Sequence, residues 1–259
     1  MAKKTLLEVV QAYLDTTDGD QVNSINDTIE SQQVAAIAEQ VFDNVIGAIR
    51  DWKFTQKVRL LEAVSDNTKP NYLKIPDIVT DLKDNNLYYN RTTTAEPTAV
   101  DYQRVEYLEP GEFQALMNCR STATPNSQVV TGFNSVKFVV INNKHPDYYT
   151  SIDDSYVVFD SFDNTVDSTL QASKSQVLTN ESKTFTRTDA YVIDLPETFQ
   201  HIYQAGVNAK ASETLRQEPI FSDARLFRVE LQKEKVKHSR TGSDRNNAKA
   251  QKSRNYRRG

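Results

Sequence analysis

Apolar residues recur three and four positions apart over Val34, Ile37, Ala38, Val41, Val45, Ala48, Ile49 and Trp52. That repeat is one face of an α-helix, and it predicts a single helix over 27–52. Asp27 followed by Glu30 reads as a capping-box start, in which each side chain satisfies an orphan backbone N–H. Upstream, Leu6, Val9, Val10, Tyr13 and Leu14 mark a shorter amphipathic helix. Glu8 and Gln11 interrupt it, so it does not read as an export signal. Beyond Trp52 the period changes to two. "KVRLLEAVS", "NLYYNRTTT", "RVEYLE", "SVKFVVINN", "DSYVVFDSF", "KTFTRTD" and "AYVIDL" are short runs rich in Val, Tyr, Phe and Thr. Asn, Asp, Pro and Ser clusters separate them, as expected of antiparallel strands joined by turns. One small helix, "PGEFQALMN", interrupts them with Pro110 at its start.

Pro196 opens another helical pattern with Phe199, Ile202 and Ala209 on its apolar side. Pro219 ends or kinks it, and Ala224, Phe227 and Leu231 continue on a second helix. From Lys233 onward the chain has too little apolar surface to fold alone. The expected fold class is therefore α+β: a bundle of N- and C-terminal helices with an inserted antiparallel β region and an extended C-terminal tail. The expected divisions are 1–54 with 196–232 as the helical body, 55–195 as the mainly β insertion, and 233–259 as the basic tail.

Charge sharpens this division. Residues 233–259 hold ten Lys or Arg against Glu234 and Asp244, a net of +8, which leaves residues 1–232 with 21 basic and 33 acidic residues, or −12. An acidic body with a basic tail implies two electrostatic tasks. The single cysteine, Cys119, excludes an intrachain disulfide and fits a reducing compartment. It reads as a small half-buried side chain rather than a nucleophile. No run is long and apolar enough for a membrane span.

Signals of catalysis are sparse. None of the seven glycines lies in a phosphate-cradling pattern, and His145, His201 and His238 fall in three different kinds of segment. The one stretch that invites a chemical reading is "DDSYVVFDSFDNTVDS", with Asp153, Asp154, Asp160, Asp163 and Asp167. An EF-hand loop from Asp160 needs Gly and Glu where Thr165 and Gln171 stand, and one from Asp163 meets Ser168 and Lys174. These aspartates therefore read as strand edges and Asx turns. No cofactor or metal is expected. A metal-dependent nuclease or cell-wall hydrolase built on Asp153 and Asp160 is the enzymatic alternative.

Three stretches carry a family likeness: "QVNSINDTIESQQVAAIAEQVFDNVIGAIRDW", "HPDYYTSIDDSYVVFDSFDNTVDSTLQASKS" and "DLPETFQHIYQAGVNAKASETLRQ". Together the chain resembles the head–tail adaptor proteins of short-tailed bacteriophages, related to the tail tubular protein A group and to ring-forming head-completion proteins. The resemblance implies a structural virion protein at the head–tail interface, assembled in the host cytoplasm and not an enzyme. It implies a ring of twelve identical subunits beneath the portal protein. In such a ring the helices form the body and the β insertion faces the tail (nozzle or tube) protein. DNA passes through the channel without specific binding, which suits a ring of acidic bodies, and no membrane is involved. In that family a C-terminal extension grips the portal. Here the matching positions are Lys233, Lys235, Lys237, Arg240, Arg245, Lys249, Lys252, Arg254, Tyr256, Arg257 and Arg258. The same positions also suit a solvated tail, or a nucleic-acid-binding protein acting through its basic end.

Overall fold

The computed structural model describes residues 3–49, 52–92, 100–133, 135–153, 155–165 and 174–256, with the side chains of 83–86 and 239–256 left out. The chain divides into two compact units. One is Met1–Phe54 with Lys183–Gly259, and the other is Thr55–Ser182.

The first unit is helical. Helix α1 (Leu6–Thr16) starts at Thr5, whose side chain caps the Glu8 N–H while Glu8 reaches back to the Thr5 N–H. Helix α2 (Ile29–Gly47) opens with the same reciprocal device, built from Thr28 and Ser31. Asp27 and Glu30 therefore do not form the expected box. Asp27 instead accepts from the Asn23 and Ser24 amides and shapes the turn before the helix. The core combines Val9, Tyr13, Val34, Val41, Phe42, Ile202 and Tyr203. Tyr203 lies on α4 (Glu197–Ala211) and donates to the Ala38 carbonyl at 2.8 Å, fastening α4 to α2. Burial pushes its phenol pKa well above the ordinary value.

The helix expected over 27–52 stops at Gly47, and Trp52 accounts for the missing turn. Its indole N–H donates to the Val45 carbonyl at 3.0 Å, which also takes a long 3.4 Å bond from the Ala48 amide, and to the Ile46 carbonyl at 3.2 Å, so it caps the C-terminal end of α2. The ring is 3% exposed and meets Phe199 edge-on at 5.1 Å.

The second unit is a sheet wrapped almost into a barrel. Its strands are β1 (Gln56–Leu60), β2 (Glu62–Ala63), β3 (Tyr72–Lys74), β4 (Val79–Asn90), β5 (Tyr102–Tyr107), β6 (Ser127–Thr131), β7 (Lys137–Ile141), β8 (Tyr148–Thr150), β9 (Tyr156–Phe159) and β10 (Ser175–Glu181). Eight of them run in the order β1-β10-β4-β5-β8-β9-β3-β2. The two ends of that order, β1 and β2, are separated in the chain by Leu61 alone. One bent strand thus serves both edges, and the sheet nearly closes on itself. A register break in β4 between Leu82 and Leu87 supplies further curvature. Leu61, Leu73, Leu87, Tyr89, Val157 and Phe159 fill the interior. The alternate residues Tyr72 and Val158 face a second core beneath α3 (Pro110–Asn118) and the β6–β7 hairpin. Strands β3 and β9 are buried on both sides, so their period-two pattern blurs into a continuous apolar run.

These findings overturn the expected fold class. The protein is a mixed α/β fold with five helices among its described residues and a large, nearly closed, eight-stranded mixed sheet. It is not a helical bundle carrying an inserted, purely antiparallel β region. Strand β5 pairs with β8 in parallel, Glu106 opposite Tyr148, after a crossover through α3 and the hairpin. Period-two patterning is blind to strand direction, so the parallel pair was not visible in the sequence. Nor is the C-terminal segment an extended tail. It belongs to helix α5 (Phe221–Tyr256), because Lys, Arg, Gln, Ala and Glu favour helix and Pro is missing after Pro219. The runs "KTFTRTD" and "AYVIDL" are not strands of the sheet. They lie in the helical unit, where Phe185 meets Phe42 at 5.3 Å and the Ile193 amide donates to the Lys4 carbonyl at 2.9 Å.

Trp52→Ala removes both the large side chain and the indole donor beneath α2. It is expected to lower the unfolding free energy by about 3–5 kcal/mol in a denaturant titration. A loss below about 1 kcal/mol contradicts the anchoring role.

Candidate docking interface

Helix α5 begins where α4 ends in a π-helical turn, Ser212–Arg216, followed by Gln217 in the left-handed region at φ 55°. Two polar ties set its entry. The Asn208 side chain donates to Asp223 at 3.0 Å, and the Ile220 amide donates to the Ser212 hydroxyl at 3.3 Å. Apolar contact then takes over. Phe227 lies against Gly206 of α4 so closely that a methyl group there sits 2.7 Å from the ring and 2.9 Å from Val41. Leu231, 9% exposed, continues the contact, and His238 ends it with its ring 5.6 Å from that of Trp52.

The seam has a definite rhythm. Phe227, Leu231, Glu234 and His238 are spaced four, three and four residues apart, which keeps them on one side of a helix. Beyond His238 the intervals run seven, four, three and four, reaching Arg245, Lys249, Lys252 and Tyr256. The side of α5 that is apolar at its root thus becomes a row of basic positions ending in an aromatic one.

The expected docking residues do not all share this side. Lys233 pairs with Glu230 at 2.6 Å and Lys237 with Glu234 at 3.4 Å, both within the helix. Lys235 lines a groove beside α4. Arg240 and Arg254 occupy helical backbone off the row, while Arg257 and Arg258 lie outside the described residues. Two basic residues that sequence reasoning passed over, Lys210 and Arg228, also line the groove. Arg228 stands seven residues before Lys235, a spacing that becomes informative only once the helix is known to run through both.

The aspartate-rich stretch resolves differently. Asp160 is 1% exposed, and one carboxylate oxygen accepts from the Asp147 and Tyr148 amides, each at 3.0 Å. The other oxygen meets Arg120 at 2.6 Å, and Arg120 also donates to the Asp160 carbonyl. A buried carboxylate with this many donors locks the end of α3 to the start of β8. Asp153 accepts from the Ser155 and Tyr156 amides, and Asp163 from the Thr165 amide and hydroxyl, as Asx turns do. Asp154 and Asp167 lie outside the described residues. Among the described residues no three His, Cys, Asp or Glu side chains gather in a way that could hold a metal ion. Cys119, expected half-buried, is exposed at the end of α3. No described helix is long and apolar enough to cross a membrane.

No protein-family model matches the chain, and no curated protein matches it.

Two substitutions probe these arrangements. Gly206→Ala raises intrinsic helix propensity by about 1 kcal/mol. The contacts under 3 Å with Phe227 and Val41 outweigh that gain, because overpacking costs about 1–3 kcal/mol. The variant is expected to release α5, seen as protease cleavage after residue 220 at conditions where the parent chain resists; equal resistance speaks against the tight seat. Asp160→Asn leaves Arg120 without its counter-charge and is expected to destabilise the β unit by about 3 kcal/mol. A denaturation midpoint unchanged by Asp160→Asn removes this pair from the list of structural determinants.

Proposed function

We propose that this chain is the head-to-tail adaptor of a short-tailed phage virion, a structural subunit rather than an enzyme. In this reading its helical unit assembles into a ring of twelve beneath the portal protein. The β unit meets the tail protein, and DNA passes through the ring without specific binding. The observation that carries the reading is the construction of α5. Its root is seated on α4 by Phe227 and Leu231, and its outer part continues as helix to Tyr256 through the most basic segment of the chain. Thirty-six helical residues span about 54 Å, enough to reach well beyond a small domain.

A helical arm changes the energetics expected of an extended tail. Less chain entropy is lost on docking when the backbone already holds its bound form. Gly242 and the pair Asn246–Asn247 weaken the outer half, so that half gains most from a partner. The charge of the arm selects acidic crevices and makes attachment salt-sensitive. The row Arg245, Lys249, Lys252 and Tyr256 favours one competing reading, in which the same side of α5 tracks a nucleic-acid backbone and stacks a base on the tyrosine.

Truncation after His238 separates the two readings, since the seam that seats α5 ends there. The shortened subunit is expected to fold with an unchanged melting temperature and to fail to co-sediment with portal rings. Full-length protein is expected to bind duplex DNA only weakly at physiological salt. Reversing Arg254, Arg257 and Arg258 to Glu tests the same contact without shortening the chain. Normal portal attachment by both variants overturns the docking role of the arm, and tight DNA binding that they abolish hands it to nucleic acid.

A further inference from the structure

Alongside the root of α5 runs an open groove of about 510 Å³ between α2, α4 and α5. Val41, Gly206, Ala209, Ala224 and Leu231 give it an apolar strip, beside which Asn44, Glu213 and Gln232 add polar groups. Phe221 stands at its mouth, 78% exposed, although large aromatics bury strongly wherever they can. Three cations also line it. Lys210 is neutralised by Glu213 at 3.1 Å, whereas among the described residues Arg228 and Lys235 form no ion pair. Those two are seven residues apart on one side of the helix, which separates them by about 10.5 Å along its axis.

We infer that this groove is a second docking site, and that its occupant is an amphipathic helix of a partner protein with acidic residues flanking its apolar stripe about two turns apart. An apolar trough bordered by two unpaired cations seven residues apart matches such a helix in both its apolar stripe and its charge. Phe221 supplies an aromatic anchor at one end. The same charge argument speaks against a second copy of α5 as the occupant. Its free apolar positions, Leu226, Val229 and Val236, are 39–42% exposed, but Arg225 and Lys233 accompany them. Lys233 is paired with Glu230, so that side brings Arg225 and a neutral pair to the groove and offers Arg228 and Lys235 no excess of acidic charge. The site is separate from the outer arm and does not depend on the adaptor reading.

The test is fluorescence anisotropy with full-length protein and a labelled synthetic helix of about five turns. The probe carries a leucine stripe and glutamates seven residues apart beside it; a control peptide has lysine at the glutamate positions. The glutamate peptide is expected to bind at least tenfold more tightly than the lysine peptide, with the difference shrinking as salt rises. Combining Arg228→Glu with Lys235→Glu is expected to reverse the preference, and Ala209→Trp to abolish binding of both peptides by filling the trough. Because Arg228 and Lys235 are charged rim positions, circular dichroism of the double variant should match the parent. Equal binding of the two peptides, or a preference that survives the double reversal, overturns the inference. Concentration-dependent self-association that Leu226→Asp removes assigns the groove to a second copy and overturns it too. The probe contains no portal sequence, so failure of the adaptor reading leaves this result intact.

Discussion

The close approach of Phe227 to Gly206 is the contact on which the rest of helix α5 depends. Only a residue without a side chain lets the ring settle onto α4 and against Val41. With the ring in place, Leu231 meets the helical core and His238 reaches Trp52. The direction in which the basic row leaves is set by that seam, because a helix transmits orientation rigidly from turn to turn. The groove adjoins the same contact. Gly206, which admits Phe227, lines the trough beside it together with Ala209.

Charge is handled in two ways along this chain. In the β unit it is turned inward and paired. Asp160 is satisfied by two amides and Arg120, and Glu181, on β10, is held by Lys57 at 3.0 Å and by Arg59 of the neighbouring strand. The Arg59 hydrogen bond holds the Glu181 carboxyl below its ordinary pKa. Protein donors stand in for water around both carboxylates, which fasten strands rather than react. On α5 the opposite holds. Lys235 and Arg228 line an open groove without counter-charges among the described residues. Unpaired surface cations contribute little to stability, so their value lies in what they attract.

Closure of the β unit rests on one bend. A sheet with two free edges exposes rows of unpaired amides and carbonyls, a template for unwanted pairing. By turning at Leu61, a single segment pairs with β10 on one side and β3 on the other, and the exposed edge is largely lost. The amide of Leu61 itself donates to the Ser175 carbonyl at 2.9 Å, so the ladder continues through the corner.

The amino-acid sequence by itself determined the local elements whose periodicity is strong. The stripe from Val34 to Val45 specified α2, Pro110 marked the start of α3, and Pro196 preceded α4, because side-chain period and proline chemistry act within a few residues. It also showed that the Asp153–Ser168 stretch lacks the ligand spacing of a calcium loop. The choice of Thr28 and Ser31 over Asp27 and Glu30 as the cap of α2 is local, and differs from the expectation by one residue. What depended on distant residues was not legible there. The run from Lys183 to Leu195 packs on helices because Phe42 and the Lys4 carbonyl await it. The parallel pairing of β5 with β8 and the closure at Leu61 are decided by which strands meet, and alternation carries no record of that. The basic residues were countable from the start. Their division into a row, a groove lining and intrahelical pairs required knowing that the helix continues past Gln232 and which side of it Gly206 receives. Propensity alone could not settle this, since a solvated basic segment gains too little from helix formation to declare its end in sequence.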